Sequence, residues 1–292
     1  MSKKFQIITL LIVLITFFAY FNFSIPTGSQ QNPPTTTPPA VQQTFILMGD
    51  AGTAAPVQFS VAEQIKKFCE SIKACQAGFI IGDVIYDEGV TSLQDKKFQT
   101  HFEEPYASLN FPIFIAYGNH DYLGCTQCYV DYTKISQKWK MPSRYYTQKF
   151  DAVTFIVLDT EKFDPEQQQW LKQELATSTT PHTVVLGHRP LLTDEAEKHL
   201  ENWNGKKELT DIVCNSAELY VSGHAHILEN PGVIEGCSVQ PLISGTAGSS
   251  PRQIITNADS PFHASVNGFL ALTVQGEKIS YSFIDTDGVV LQ

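Results

Sequence analysis

Short runs of β-branched, aromatic and other apolar residues punctuate the chain at 44–48, 78–81, 113–117, 183–186 and 219–222, and a glycine stops each one. Such runs predict buried strands, and open α/β sheets bind ligands outside the carboxyl ends of their strands. The residues delivered there are Asp50, Asp83, then Asn119 with His120 and Asp121, then His188, and finally His224-Ala225-His226. Oxygen and nitrogen donors of this kind serve first-row metals and hydrolytic chemistry. Between the runs, Val57, Val61, Ile65 and Phe68 recur at helical spacing, residues 129–140 read as helical, and Asp164-Pro165-Glu166 opens a helix continued by Trp170, Leu171 and Leu175. Leu209, Ile212 and Val213 mark another helix, and strands are expected over 144–150 and 153–158. Alternation stops after residue 222: the apolar runs 239–244, 269–274 and 278–284 have no helix between them, which predicts a mixed or antiparallel second sheet. The expected fold class is α/β, a two-sheet β-sandwich flanked by helices, with no internal repeat.

The amino terminus changes that picture. Lys3 and Lys4 precede an uncharged run from Phe5 to Phe23, roughly 19 residues and about 28 Å long as a helix, near the hydrocarbon thickness of a bilayer. A globular helix needs a polar face, which this run lacks. The two lysines favour an inside amino terminus and an exported remainder. The length of the run, and its ending in Tyr20-Phe21-Asn22-Phe23 without a small-x-small site, favour an uncleaved anchor over a cleaved signal peptide. Residues 1–26 are therefore expected to be a signal-anchor or signal peptide, and the Pro/Thr-rich residues 27–43 an extended linker. Residues 44–292 are expected to form the folded domain.

The chain has 292 residues and a formal net charge of −10. Without a dense Lys/Arg cluster, nucleic acid is not an expected partner. Six cysteines in an exported chain permit disulfides. Sequence proximity alone suggests Cys69–Cys75, Cys125–Cys128 and Cys214–Cys237, although six cysteines allow 15 connectivities. Cys125-Thr126-Gln127-Cys128 could instead be a redox or zinc motif, but no second pair at zinc-finger spacing accompanies it.

Taken singly, each candidate has a commonplace structural role: a turn or helix cap for Asp50, a loop carboxylate for Asp83, a turn for Asn119, a core or surface imidazole for His188. His224-Ala225-His226 is harder to dismiss, because alternate strand positions point oppositely unless the chain turns, as Gly223 would allow. Together, Gly49-Asp50-Ala51-Gly52, Gly82-Asp83-Val84-Ile85-Tyr86, Gly118-Asn119-His120-Asp121, Gly187-His188 and Gly223-His224-Ala225-His226 resemble the calcineurin-like metallophosphoesterases. More narrowly, the chain resembles the purple acid phosphatases of the small, tartrate-resistant type over nearly all of 44–284. Most of the superfamily carries Asp-x-His at the first motif. Here Ala51-Gly52 follows Asp50, and Tyr86 stands three residues beyond Asp83, the tyrosine found in the purple enzymes.

By that resemblance, Asp50, Tyr86 and His226 would bind iron(III), Asp83 would bridge, and Asn119, His188 and His224 would hold a divalent iron, zinc or manganese. A phenol with a pKa near 10 needs a strongly Lewis-acidic cation to bind as phenolate in acid. Five positive charges, reduced by Asp50, Asp83, Tyr86 and a hydroxide, leave about one to attract a phosphate monoester. His120 would protonate the leaving oxygen or bind a phosphate oxygen, with Asp121 orienting it and Asn119 also touching substrate. The family pattern is broken in three places. Tyr122 stands where small members often have a second histidine, Arg189 follows His188, and the only histidine near the expected downstream substrate position is His199. His101, His182 and His263 match no motif and are expected to be surface or structural, and Gly245-Thr246-Ala247-Gly248, which could cradle phosphate, reads rather as a turn beside the site.

The resemblance thus implies an acid phosphatase in which a metal-bound hydroxide hydrolyses small phosphomonoesters or phosphoproteins, with a phosphodiesterase or nucleotide hydrolase as the alternative. A binding protein with a degenerate site is disfavoured, because every expected ligand type is present. The expected location is outside the cytoplasm, membrane-anchored, or secreted if the amino-terminal segment is cleaved. Deleting residues 1–43 is predicted to release active, soluble enzyme from membranes; recovery of natural protein beginning beyond Phe23 would show cleavage instead.

Overall fold

The computed structural model describes residues 41–196, 203–255 and 259–292. The expected amino-terminal helix, most of the linker and His199 lie outside them. Among the described residues no helix is long and apolar enough to cross a membrane.

Among the described residues, thirteen strands form two sheets. The first contains β1 (Gln43–Met48), β2 (Cys75–Ile81), β3 (Ile113–Ala116), β4 (Trp139–Lys140), β12 (Gly268–Gln275) and β13 (Lys278–Asp285), in the order β13-β12-β1-β2-β3-β4. The second contains β5 (Tyr146–Lys149), β6 (Val153–Val157), β7 (His182–Leu186), β8 (Leu219–Ser222), β9 (Leu228–Asn230), β10 (Gln240–Ser244) and β11 (Phe262–Ala264), in the order β11-β9-β10-β8-β7-β6-β5. The parallel strands β1 to β4 carry antiparallel β12 and β13 on the β1 side only, whereas the parallel set β6-β7-β8-β10 has antiparallel strands on both sides. Both sheets are therefore mixed. The late strands divide between them: β10 pairs with β8, whereas β12 and β13 return to the first sheet beside β1.

Aromatic side chains hold the sandwich together. Phe155 of β6 lies 4.8 Å from Phe45 of β1 and 4.4 Å from Phe79 of β2, ring centre to ring centre, and all three are buried. Strand alternation then turns Ile156 outward. It packs with Leu171 of α3 (Pro165–Thr177) and with Leu209 and Val213 of α4 (Lys206–Val213), which cover the outer face of the second sheet. Helix α1 (Pro56–Ile72) buries Val61, Ala62 and Ile65 against the first sheet. The start of α3 is as expected, with Pro165 at its first position and Asp164 accepting the Gln167 N–H at 3.0 Å.

The helix expected over 129–140 is shorter and earlier. It forms α2 (Thr126–Tyr132), after which Ser136 Oγ accepts the Lys138 and Trp139 N–H groups and turns the chain into β4. Trp139 then packs against Phe98, Phe102, Tyr129 and Tyr132 and donates its indole N–H to the Tyr129 carbonyl at 2.8 Å. Burial of that ring outweighed helical continuation. The three disulfides, Cys69–Cys75, Cys125–Cys128 and Cys214–Cys237, are the pairs suggested by proximity. Phe155→Ala empties the contact between sheets and is predicted to cost about 3–5 kcal/mol. That corresponds to a fall in melting temperature of about 10 °C, read by thermal denaturation.

Candidate metal centre

The carboxyl ends of β1, β2 and β3 meet those of β7 and β8 at one edge of the sandwich, and two glycines set how closely. A Cβ on Gly223 would lie 2.5 Å from Asp50 Oδ2 and 2.8 Å from the Ile81 carbonyl oxygen. One on Gly82, which has φ of +83°, would lie 2.3 Å from His188 Nδ1. A side chain at either position would push the two sheets' loops apart.

Beyond these glycines, Asp50, Asp83 and His224 adopt left-handed backbone, with φ of 55°, 50° and 63°. The sharp turn in His224-Ala225-His226 is thus made by His224 itself, and Gly223 serves close approach. Left-handed backbone costs a non-glycine residue about 1–3 kcal/mol, and hydrogen bonds offset that cost. Asp50 Oδ2 accepts the His224 N–H at 2.7 Å, and Asp83 Oδ1 accepts the His120 N–H at 2.9 Å.

All seven expected ligand side chains converge. Tyr86 Oη is 3.1 Å from Asp50 Oδ1, 2.9 Å from Asp83 Oδ2 and 3.3 Å from His226 Nε2. On the other side, His188 Nε2 is 3.5 Å from Asp83 Oδ2, 3.2 Å from Asn119 Oδ1 and 3.2 Å from His224 Nδ1. Asp83 belongs to both groups. Ligand atoms of Asp83, His188 and His224 all lie within 4.8 Å of one another. Because a carbonyl only accepts, His188 Nδ1 donates to Ile81 O at 2.9 Å, which leaves Nε2 to face the cluster.

The cluster is buried and short of positive charge. Burial opposes ionisation of Asp83, yet His188 outweighs it and holds the carboxyl well below its usual range. Burial likewise opposes protonation of His188, but Asp83 prevails and pushes the imidazole up to about 10. Burial, then Asp50 and Asp83, push the Tyr86 phenol far above its ordinary value. Protons therefore stand where a cation would, and carboxylate, phenol, amide and imidazole donors suit hard to borderline metals. The donor set fits a metal pair.

The remaining expected residues fall differently. The His120 ring is tilted against that of Tyr86, with ring centres 4.5 Å apart, and its Nδ1 is 2.5 Å from the Asp87 carbonyl oxygen. Asp121 does not orient it. That buried carboxylate accepts the N–H groups of Gly118, Val84 and Ile85 and the Tyr129 hydroxyl, tying the loops after β2 and β3 together. Tyr122 turns away from the cluster to Asp159, at 2.5 Å. Arg189 is clamped by Glu161 at 2.7 and 2.8 Å, with Nη1 2.9 Å from His224 Nε2. The Gly245–Gly248 stretch is a turn whose neighbouring N–H groups bond the chain: Ala247 N to Gly49 O and Ser249 N to Asp50 O, at 3.1 and 2.9 Å. His182 bonds Glu218, and His263 bonds Ser260.

Three residues near the site carried no signal in the sequence. Glu195 accepts the His226 N–H at 2.6 Å and pairs with Arg252 at 3.3 Å. His101, expected to be surface or structural, lines a cleft beside Tyr86 and His226 together with Arg252. None sits at a strand end, so periodicity gave nothing to find them by.

A two-sheet sandwich with oxygen and imidazole donors converging at its parallel strand ends defines a metallophosphoesterase. Residues 44–228 match the family model for calcineurin-like phosphoesterase, and the chain belongs to that family of metal-dependent hydrolases. It is 27% identical to rat tartrate-resistant acid phosphatase type 5, over 86% of this chain and 89% of the relative. It is 25% identical to Arabidopsis thaliana purple acid phosphatase 4, over 99% and 94%. Among solved structures, GAP50, the anchor in the inner membrane complex of Plasmodium, superposes with a TM-score of 0.76 at 21% identity, covering 86% of this chain and 87% of that one, a likeness of fold. Because a cation must displace protons from Tyr86 and His188, metal uptake by stripped protein is predicted to release protons and to tighten as pH rises towards about 10. Calorimetry in buffers of differing ionisation enthalpy measures that release.

Proposed function

We propose that the protein is an acid phosphatase that hydrolyses phosphate monoesters at a dinuclear centre of iron(III) and a divalent iron, zinc or manganese. Asp50, Tyr86 and His226 would hold the iron(III), Asn119, His188 and His224 the divalent ion, with Asp83 between them. One observation carries this reading: the Tyr86 hydroxyl lies within 3.3 Å of Asp50, Asp83 and His226. A phenol surrounded by two carboxylates becomes a ligand only for a strongly Lewis-acidic ion. When bound, such a pair polarises a phosphoryl oxygen and makes water nucleophilic in acid.

The chain's own residues supply the rest. The Asp87 carbonyl accepts the His120 Nδ1–H, so the proton for the ester's leaving oxygen would come from Nε2 of the doubly protonated ring, which then stays neutral with its Nδ1–H still on Asp87. The Asn119 side chain, half-buried beside His188, stands where it can also touch substrate. The relatives' names favour the monoesterase over the diesterase. Small phosphomonoesters or phosphoproteins are the substrate class. Three disulfides and the uncharged run from Phe5 to Phe23 support export with the domain outside the cytoplasm.

Oxidised protein expressed with iron is predicted to be purple. Tyr86→Phe should bleach the visible band and lower turnover of p-nitrophenyl phosphate by more than the roughly 10–100-fold typical of outer-shell changes. A colourless native protein holding only zinc would overturn the iron(III) assignment.

A further inference from the structure

A cleft of about 460 Å³ opens beside Tyr86 and His226. Three chain segments line it: Thr53 after β1, Asp87 with His101 from the connection between β2 and β3, and Ser250 with Arg252 from the connection after β10. His120 touches two of the lining residues: its Nδ1 bonds the Asp87 carbonyl, and its ring is tilted against that of Tyr86 with centres 4.5 Å apart. If His120 protonates the leaving oxygen, the bond that breaks points towards His120, and the cleft lined by its two neighbours Tyr86 and Asp87 would receive the leaving group.

The charges along the rim are of both signs. The Arg252 guanidinium is anchored by Nη1 on Glu195 at 3.3 Å and lines the cleft beside His226. The exposed Asp87 carboxylate lines the cleft together with His101, whose protonation is disfavoured by burial and then by Lys97. His101 has Nδ1 2.8 Å from Thr100 Oγ1, which leaves Nε2 for the cleft. A plain alcohol or an apolar aryl group would use neither charge. A group carrying both a carboxylate and an ammonium would use the two together.

We propose that this cleft is the leaving-group pocket and that it selects phosphomonoesters of zwitterionic alcohols, the phosphorylated hydroxy-amino acids, with Arg252 facing the carboxylate and Asp87 the ammonium. His101 forms a hydrogen-bonding wall between them. The proposal rests on the phosphatase reading above and assigns it a substrate class.

The test compares two non-hydrolysable ligands, 4-(phosphonomethyl)-L-phenylalanine and benzylphosphonate, binding to the holoenzyme by calorimetry. The amino-acid phosphonate is expected to bind about tenfold more tightly, the equivalent of one good charge-assisted contact. Arg252→Gln and Asp87→Asn should each shrink that ratio, while Arg252→Lys, which keeps a cation beside Glu195, should preserve most of it. Equal affinity in the native protein, or a ratio that survives both charge-removing substitutions, would overturn the pocket assignment. So would a ratio that persists when the N-acetyl amide replaces the amino acid. Phenyl phosphate turnover is measured separately: its absence would overturn the phosphatase reading and leave the binding ratio to decide the pocket.

Discussion

The Asp83 carboxylate reaches Tyr86 Oη at 2.9 Å on one side and His188 Nε2 at 3.5 Å on the other, and the fold around it is arranged to hold that span. Tyr86 follows β2 in the first sheet and His188 follows β7 in the second. The spacing between the sheets therefore sets whether one oxygen can serve both partners. Phe155 packed on Phe45 and Phe79 fixes that spacing in the interior, and the missing side chains at Gly82 and Gly223 permit it at the edge. Core packing and site geometry are one constraint seen at two depths.

Holding the donors costs free energy locally. Three of them adopt left-handed backbone, and two buried carboxylates face each other across a phenol. Residues outside the donor set offset this. Asp121 collects three N–H groups and a tyrosine hydroxyl from the flanking loops, and Glu195 holds the His226 backbone while Arg252 holds Glu195. Such outer contacts orient ligands as surely as the ligands orient a metal. Arg189 beside His224 is the unusual member, since a guanidinium can only donate to that ring.

Much of this was legible in the sequence, and for one reason: a buried strand followed by glycine and a polar residue is a local pattern, and five of them deliver the donors in order. Tyr86, three residues past Asp83, could be picked out only by its match to the tyrosine of the purple enzymes. The disulfide pairs could be suggested because their partners are close in the chain, the widest 23 residues apart. What depended on distant packing was not legible. Trp139 left its expected helix for an aromatic cluster, and β12 and β13 crossed back to β1. Asp121 gave its oxygens to backbone rather than to His120. His101, Glu195 and Arg252 reach the site from connections whose course no periodicity records.

The central claim is that two cations share Asp83, and that the phenol of Tyr86 belongs to one of them. Anomalous scattering from crystals of the iron-loaded holoenzyme, collected on both sides of the iron absorption edge, tests it most directly. The account predicts an iron peak bounded by Asp50, Asp83, Tyr86 and His226, and a second metal peak about 3.5–4 Å away beside Asn119, His188 and His224. A single peak, or a Tyr86 side chain turned away from the iron, would contradict it.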